Sequence, residues 1–232
     1  MKTICASYQE VVAAAADQIT ELAASKPRAV LAVAAGETMV PLFAELADRC
    51  QQGRLSLKDC RLFSVAEYIG AEPGKTCRHM LESQLVEKTN LQPENCVFLG
   101  EENLDAYDRL IASAGGLDLA VLGLGLNAHI GFNEPATPFD SLTHRQKLTD
   151  ATKRQKAARF GGFEAVPAYG LTMGIKTLVE ARQILLLALG EEKAEAAFKM
   201  LYARTDSAVP AAFLQLPSRV TVYLDEAAGA KL

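Results

Sequence analysis

The stretch 117–135, LDLAVLGLGLNAHIGFNEP, constrains the fold of this chain more than any other, because its opening run LDLAVLG is apolar at consecutive rather than alternate positions. A strand of that kind has no face left for water and belongs inside a parallel sheet covered by helices on both sides. The run follows Gly115 and Gly116 and ends at Gly123, where a glycine-broken loop begins. Ligands of such sheets bind just beyond the carboxyl ends of the strands. The loop's Asn127, His129 and Glu134 therefore stand where chemistry is expected, with no apolar period around them to suggest burial.

Two plainer readings compete for that loop. Gly123, Gly125 and Ala128 fit the G-x-G-x-x-[GA] dinucleotide fingerprint, but that motif needs a helix to start inside it so that the helix N-terminus meets a pyrophosphate. Gly131, Pro135 and Pro138 follow at once and forbid a long helix there. A histidine held in a turn for structural reasons is the ordinary expectation for a lone His. Against it, this loop also carries a carboxylate and two side-chain amides.

At 232 residues, half of them hydrophobic and 22% charged, the chain suffices for one large α/β domain spanning 1–232, and no shift in composition divides it. A net charge of −4 offers no electrostatic footprint for nucleic acid or an anionic membrane. A phosphorylated small molecule would have to find local positive charge instead. The five cysteines, scattered without C-x-x-C spacing, suit buried thiols in a reducing cytoplasm rather than disulfides or a zinc site. A single histidine without partnered carboxylates or thiolates offers too few ligands for a metal, and no cofactor is expected. The alanines at 13–16 are flanked by Glu10, Asp17 and Glu21, so the N-terminal stretch reads as a folded helix and not as a signal peptide or membrane span.

Taken in order, the chain predicts a strand at 2–6 and a helix opened by a capping box of Ser7 and Glu10 and running to about Ser25. A buried strand at 28–34 leads through AAGET into a helix at 39–50. A glycine turn between strand and helix leaves free backbone N–H groups at a helix N-terminus, so Gly36, Glu37 and Thr38 are candidates for holding an anion. The next strand ends at Val65, a helix spans about 76–88, a short strand 96–99 and another helix 103–113. Residues 137–156 are polar and read as an irregular cover or exposed connection. Buried strands follow at 169–175 and 183–189, then a helix to about Tyr202 and a last strand at 220–224. This alternation predicts one doubly wound, mostly parallel α/β sheet with helices on both faces, Rossmann-like in plan.

The pattern Gly-x-Gly-x-Asn-x-His-x-x-x-Asn-Glu-Pro, from Gly123 to Pro135, closely resembles the active-site loop of the glucosamine-6-phosphate deaminase/isomerase family, and Asn127 resembles its galactosamine-6-phosphate branch. The resemblance extends over nearly the whole chain. It implies conversion of galactosamine 6-phosphate or glucosamine 6-phosphate to a ketose 6-phosphate and ammonia, by a monomer or small homo-oligomer. It implies that His129 carries a proton to or from the ring oxygen, oriented by Glu134 and Asn127, the latter standing where many members have an aspartate. It also implies that Arg159 and Lys193 join Gly36 and Thr38 around the substrate phosphate. Two departures stand out. Ala35 replaces a threonine of the phosphate loop, and in Ala66-Glu67-Tyr68 the alanine replaces the aspartate that moves the proton at C2. Glu67 is the nearest carboxylate, but adjacent residues of an extended segment point to opposite sides. The chain is therefore expected to be an impaired deaminase. The alternatives are a 6-phosphogluconolactonase-like hydrolase, which needs no C2 base, and a non-catalytic phosphosugar-binding relative.

Overall fold

The structure, a computed structural model, describes residues 1–217 and 219–232. Its strands are β1 (Lys2–Ala6), β2 (Val30–Val33), β3 (Arg61–Ser64), β4 (Ala66–Tyr68), β5 (Cys96–Val97), β6 (Leu119–Gly123), β7 (His144–Lys147), β8 (Tyr169–Thr172), β9 (Gln183–Ala188) and β10 (Val220–Asp225). Its α-helices are α1 (Tyr8–Ser25), α2 (Val40–Gln51), α3 (Cys77–Leu81), α4 (Tyr107–Ser113), α5 (Asp150–Phe160), α6 (Ile175–Val179) and α7 (Ala194–Tyr202). Seven strands form one sheet in the order β1-β10-β9-β6-β2-β3-β5, with every neighbouring pair parallel.

The consecutive apolar residues of the central strands are explained by burial on both faces. On one face Leu31, Val33, Leu119, Val121, Leu185 and Leu187 pack with the buried stripes of α1 and α2, including Val12, Ile19, Leu42 and Phe43. On the other, Ala32, Ala120, Leu122, Ile184 and Leu186 pack beneath Ile175, Leu178, Ala197 and Met200. Alternate residues of each strand thus enter different cores. α1 begins with the expected capping box, in which Ser7 accepts from the Glu10 amide and the Glu10 carboxylate accepts from the Ser7 amide.

The strand order reverses between β2 and β6. From β2 the chain winds outward through β3 and β5, then returns to β6 and winds the other way through β9 and β10. The loops leaving β2 and β6 diverge at this point and open a crevice at the carboxyl edge of the sheet.

Several local expectations are corrected. The strand expected at 169–175 is not part of the main sheet. Its residues Tyr169–Thr172 form the centre of a separate antiparallel sheet, between β4 and β7, with Ala66 opposite Thr172 and Lys147 opposite Tyr169. Apolar composition marks burial but not the partner strand, and here Gly170 lacks a side chain where a Cβ would run into the Phe132 ring at 2.5 Å. Residues 137–156 are not an irregular cover but contain β7 and most of α5. The helix expected at 76–88 is α3 continued by a π-helical turn, Glu82–Val86, and that at 103–113 starts with a 3-10 turn, Leu104–Ala106. Of the thiols, Cys60 and Cys77 are buried, while Cys5 is exposed. Among the described residues no helix is long and apolar enough to cross a membrane.

Candidate active site

The crevice between the β2 and β6 loops holds a cavity of about 380 Å³. One end is the loop after β6. Gly125 and His129 close a tight turn, the Gly125 amide donating to the His129 carbonyl at 2.9 Å. Between them Ala128 takes a left-handed φ of 60°. A non-glycine residue held there stores strain on the order of 1–3 kcal/mol. The conformation places Asn127 and His129 side by side. Gly125 is required because a Cβ there would lie 2.2 Å from the imidazole. The turn is anchored from below by Asn133, whose amide group donates to the Ile130 and Met173 carbonyls at 2.8 Å each.

A short relay fixes the proton on His129. Glu134 is fully buried and accepts from the Asn127 side-chain amide at 2.7 Å, from the Thr149 backbone at 3.2 Å and from the Thr149 hydroxyl at 3.2 Å. A carboxylate accepts only, so the Asn127 NH₂ faces Glu134 and its oxygen faces His129 Nδ1, 2.6 Å away. An amide oxygen in turn requires Nδ1 to carry the hydrogen. The neutral imidazole is thereby held with Nε2 free as a proton acceptor. Burial pushes the His129 pKa well below its ordinary value; Glu134 opposes this, while Lys156 and Lys193 add to it. His129 is therefore a neutral base at physiological pH.

The other end is cationic. The 3-10 turn Glu37–Met39 and α2 follow β2 through Gly36, so residues 36–38 line the cavity at the start of a turn that has no side-chain cap. Across it, Lys193 sits in the turn Glu191–Lys193 after β9 and is buried, which brings its pKa down to about 8, with Lys156 nearby adding to the effect and Glu192 opposing it. Arg159, from α5, gives hydrogen bonds to the carbonyls of Lys75 and Thr76, each at 3.0 Å, and also lines the cavity. Positive charge and unsatisfied amides at one end of a cavity suit a phosphate.

Of the residues singled out in the sequence, His129, Gly36, Thr38, Arg159, Lys193 and Ala66 all line this cavity. Asn127 and Glu134 stand behind His129. Glu67 is turned away, since its carboxylate accepts from the amides of Tyr68, Cys77 and Arg78 at 2.7–2.8 Å and caps the start of α3. It is committed to the backbone and is not a base for the cavity, and the wall at position 66 carries only a methyl group. Sequence reasoning missed Lys156, Tyr68 and Cys77, which also line the cavity. The signal for Lys156 was present. Thr149 caps α5 by accepting from the Thr152 amide, and Gly161 ends it with a φ of 85°, a start and stop legible in TDATKRQKAARFG.

A doubly wound sheet whose switch-point crevice holds a buried histidine relay together with Lys193, Arg159 and the turn after β2 defines the class of α/β proteins with a ligand site at the carboxyl edge of the sheet. Within it, the chain belongs to the glucosamine-6-phosphate isomerase/6-phosphogluconolactonase family, whose model matches residues 4–223. It is 39% identical to glucosamine-6-phosphate deaminase 2 of Giardia intestinalis over 94% of this chain and 86% of that protein. It is likewise 39% identical to the glucosamine-6-phosphate deaminase of Hahella chejuensis, over 100% of this chain and 92% of that one. The structure of a monomeric glucosamine-6-phosphate deaminase superposes with a TM-score of 0.96 at 32% identity, covering both chains in full. The 6-phosphogluconolactonase of Trypanosoma brucei shares the fold, with a TM-score of 0.77, at 18% identity over 100% of this chain and 98% of that one.

Proposed function

We propose that this chain is an amino-sugar 6-phosphate deaminase/isomerase, releasing ammonia and forming a ketose 6-phosphate. The observation that carries the reading is the relay from Glu134 through Asn127 to His129, in one cavity with Gly36, Thr38, Arg159 and Lys193. The cradle of the 36–38 amides, Arg159 and Lys193 takes the phosphate. With the phosphate fixed, the anomeric end of the sugar reaches the imidazole. His129 Nε2 takes the proton of the O1 hydroxyl and delivers it to the ring oxygen, so that the C1–O5 bond breaks and an open-chain aldehyde forms. A neutral histidine suits both halves of that transfer. The relatives named as glucosamine-6-phosphate deaminases support glucosamine 6-phosphate as substrate; Asn127 is the reason to test galactosamine 6-phosphate beside it. The monomeric relative supports a monomer.

Ala66 favours a second reading, a phosphosugar lactonase, because a histidine that activates water needs no base at C2. Incubation with both amino-sugar phosphates and with 6-phosphogluconolactone, following ammonia and lactone loss, separates the two. Ammonia release is expected from an amino-sugar phosphate. Lactone hydrolysis without ammonia release would replace the deaminase by the lactonase, and silence with all three would leave a binding protein.

A further inference from the structure

The deaminase reading leaves the proton at C2 without a carboxylate at position 66, so some other group lining the cavity must move it. Tyr68 and Cys77 are held protonated, since burial raises both well above their ordinary pKa values, and the Arg159 guanidinium offers donors only. Glu37 and Glu192 sit in the two strand-to-helix turns that form the phosphate cradle, beside Gly36 and Lys193, and so at the C6 end of the ligand. His129 is occupied at the anomeric end. Lys156 remains.

Its position is set by one face of α5. Thr149, Thr152, Lys156 and Arg159 recur at helical spacing and lie along the same side. Thr149 bonds Glu134, and the Thr152 hydroxyl is 3.4 Å from His129 Nδ1. At the other end Arg159 joins the cradle. From Thr152 to Arg159 the helix rises about 10 Å, comparable with an extended six-carbon chain bearing a terminal phosphate. Lys156 falls between the two, over the body of the sugar. Its side chain lines the cavity and has no hydrogen-bond or ion-pair partner among the described residues. It lies near enough to Cys77 for each to affect the other's titration, and Cys77 and Ala66 belong to the same wall. Lys156 thus shares one cavity with Ala66 and lies within electrostatic range of Cys77, eleven residues further along the chain.

We propose that Lys156 is the general base that carries the proton from C2 to C1, a catalytic residue placed on α5 in compensation for Ala66. The inference rests on the deaminase reading. Burial lowers the Lys156 pKa, with Arg159 adding to the effect and Glu37 opposing it, so a reactive fraction is free amine. In the open-chain aldehyde that amine takes the C2 proton. The C2–H pair becomes the C1=C2 bond, and the carbonyl pair moves to O1, which takes a proton from the substrate's ammonium group. The Lys156 ammonium then protonates C1 while the nitrogen pair forms a C2 iminium. Water adds at C2 and ammonium leaves as the ketone forms. Lys156 ends as the free amine it began as.

The test compares Lys156→Met, Lys156→Arg and Arg159→Ala with the unaltered protein. The readouts are ammonia release, deuterium uptake from heavy water into substrate and product, and binding of a 2-amino-2-deoxyhexitol 6-phosphate, which has no aldehyde and cannot react. Both Lys156 variants are expected to lose deuterium uptake by on the order of 10²-fold or more. Lys156→Arg, which keeps charge and length but cannot act as a base, should retain analogue binding, and Arg159→Ala should weaken it. Adding Ala66→Asp to Lys156→Met should restore part of the uptake. Uptake retained in Lys156→Arg would show that only the charge matters and would overturn the inference while leaving the deaminase intact. Absence of ammonia and of uptake in the unaltered protein would overturn the deaminase reading itself, and the inference with it.

Discussion

At the scale of single residues, the site depends on which hydrogen sits on which nitrogen. Glu134 makes no contact with the cavity, yet as an acceptor-only group it orients Asn127, and Asn127 decides the tautomer of His129. Glu134→Gln replaces the carboxylate by a group that also donates. Asn127 is then free to turn its NH₂ toward Nδ1, which shifts the imidazole hydrogen to Nε2 and removes the acceptor that ring opening uses. The variant is expected to fold and to lose on the order of 10² to 10⁴ in kcat/KM. The pH profile identifies the cause. His129 is already shifted below its ordinary pKa, so ring opening by the unaltered protein, followed as trapped open-chain aldehyde and so independent of Lys156, should persist as pH falls below 6.5 and fail only well beneath it. Removing the one anion that opposes the shift should move the acid limb of the residual ring opening lower still. An unmoved limb would mean that Glu134 is a structural support and not a positioning residue. Gly125→Ala acts on the same ring by contact, since its new Cβ would stand 2.2 Å from the imidazole. Turnover should fall sharply while analogue binding at the cationic end survives, and an alanine variant with full kcat would remove His129 from the reaction.

At the scale of elements, α5 brings the two ends of the site together. Thr149 has two tasks there, because its hydroxyl accepts from the Thr152 amide as the N-cap and donates to Glu134. Thr149→Ala should cost about 1 kcal/mol of stability from the cap and also lower kcat, whereas Thr149→Ser, which keeps the hydroxyl, should restore both. Thermal melts with initial rates decide it: a stability loss without a rate loss would detach α5 from the chemistry. This element also shows what the sequence could disclose. The β6 run and its loop were legible because a strand buried on both faces leaves an unbroken apolar signature, and the glycines and prolines after Gly123 rule out a helix. α1 was legible through its capping box. α5 was not, because half-buried Lys156 and Arg159 face a polar cavity and not a core, so the helix lacks the apolar stripe that periodicity detects. Its caps, Thr149 and Gly161, were the only readable signal. The pairing of β8 with β4 and β7 was hidden for a different reason: apolar residues announce burial but not which strand lies alongside.

At the scale of the whole molecule, the cavity gathers Lys156, Arg159 and Lys193 in a chain whose net charge is −4. Such clustering weakens the unliganded fold. Lys193 is buried with a pKa of about 8 against an unperturbed 10.5. Because the native value is the lower one, the native state binds the proton less well than the unfolded chain. The cost is absent above pH 10.5, grows as pH falls toward 8, and is fully present below that. Its size at pH 7 is on the order of 3 kcal/mol. Lys193→Met, similar in length and uncharged, should therefore be more stable than the unaltered protein. A gain of about 2–4 °C in Tm per kcal/mol is expected for a chain of this size. The advantage should be larger at pH 7 than at pH 9.5, where the lysine is largely deprotonated in the native state. Phosphate should reverse the order. Inorganic phosphate should bind the native cradle and raise the Tm of the unaltered protein by mass action, while the variant, lacking the cation, should respond much less. Melting curves at the two pH values, with and without phosphate, carry the whole prediction. Equal Tm values for both proteins at both pH values would show that Lys193 carries no desolvation cost, and an undiminished phosphate response in the variant would place the anion elsewhere.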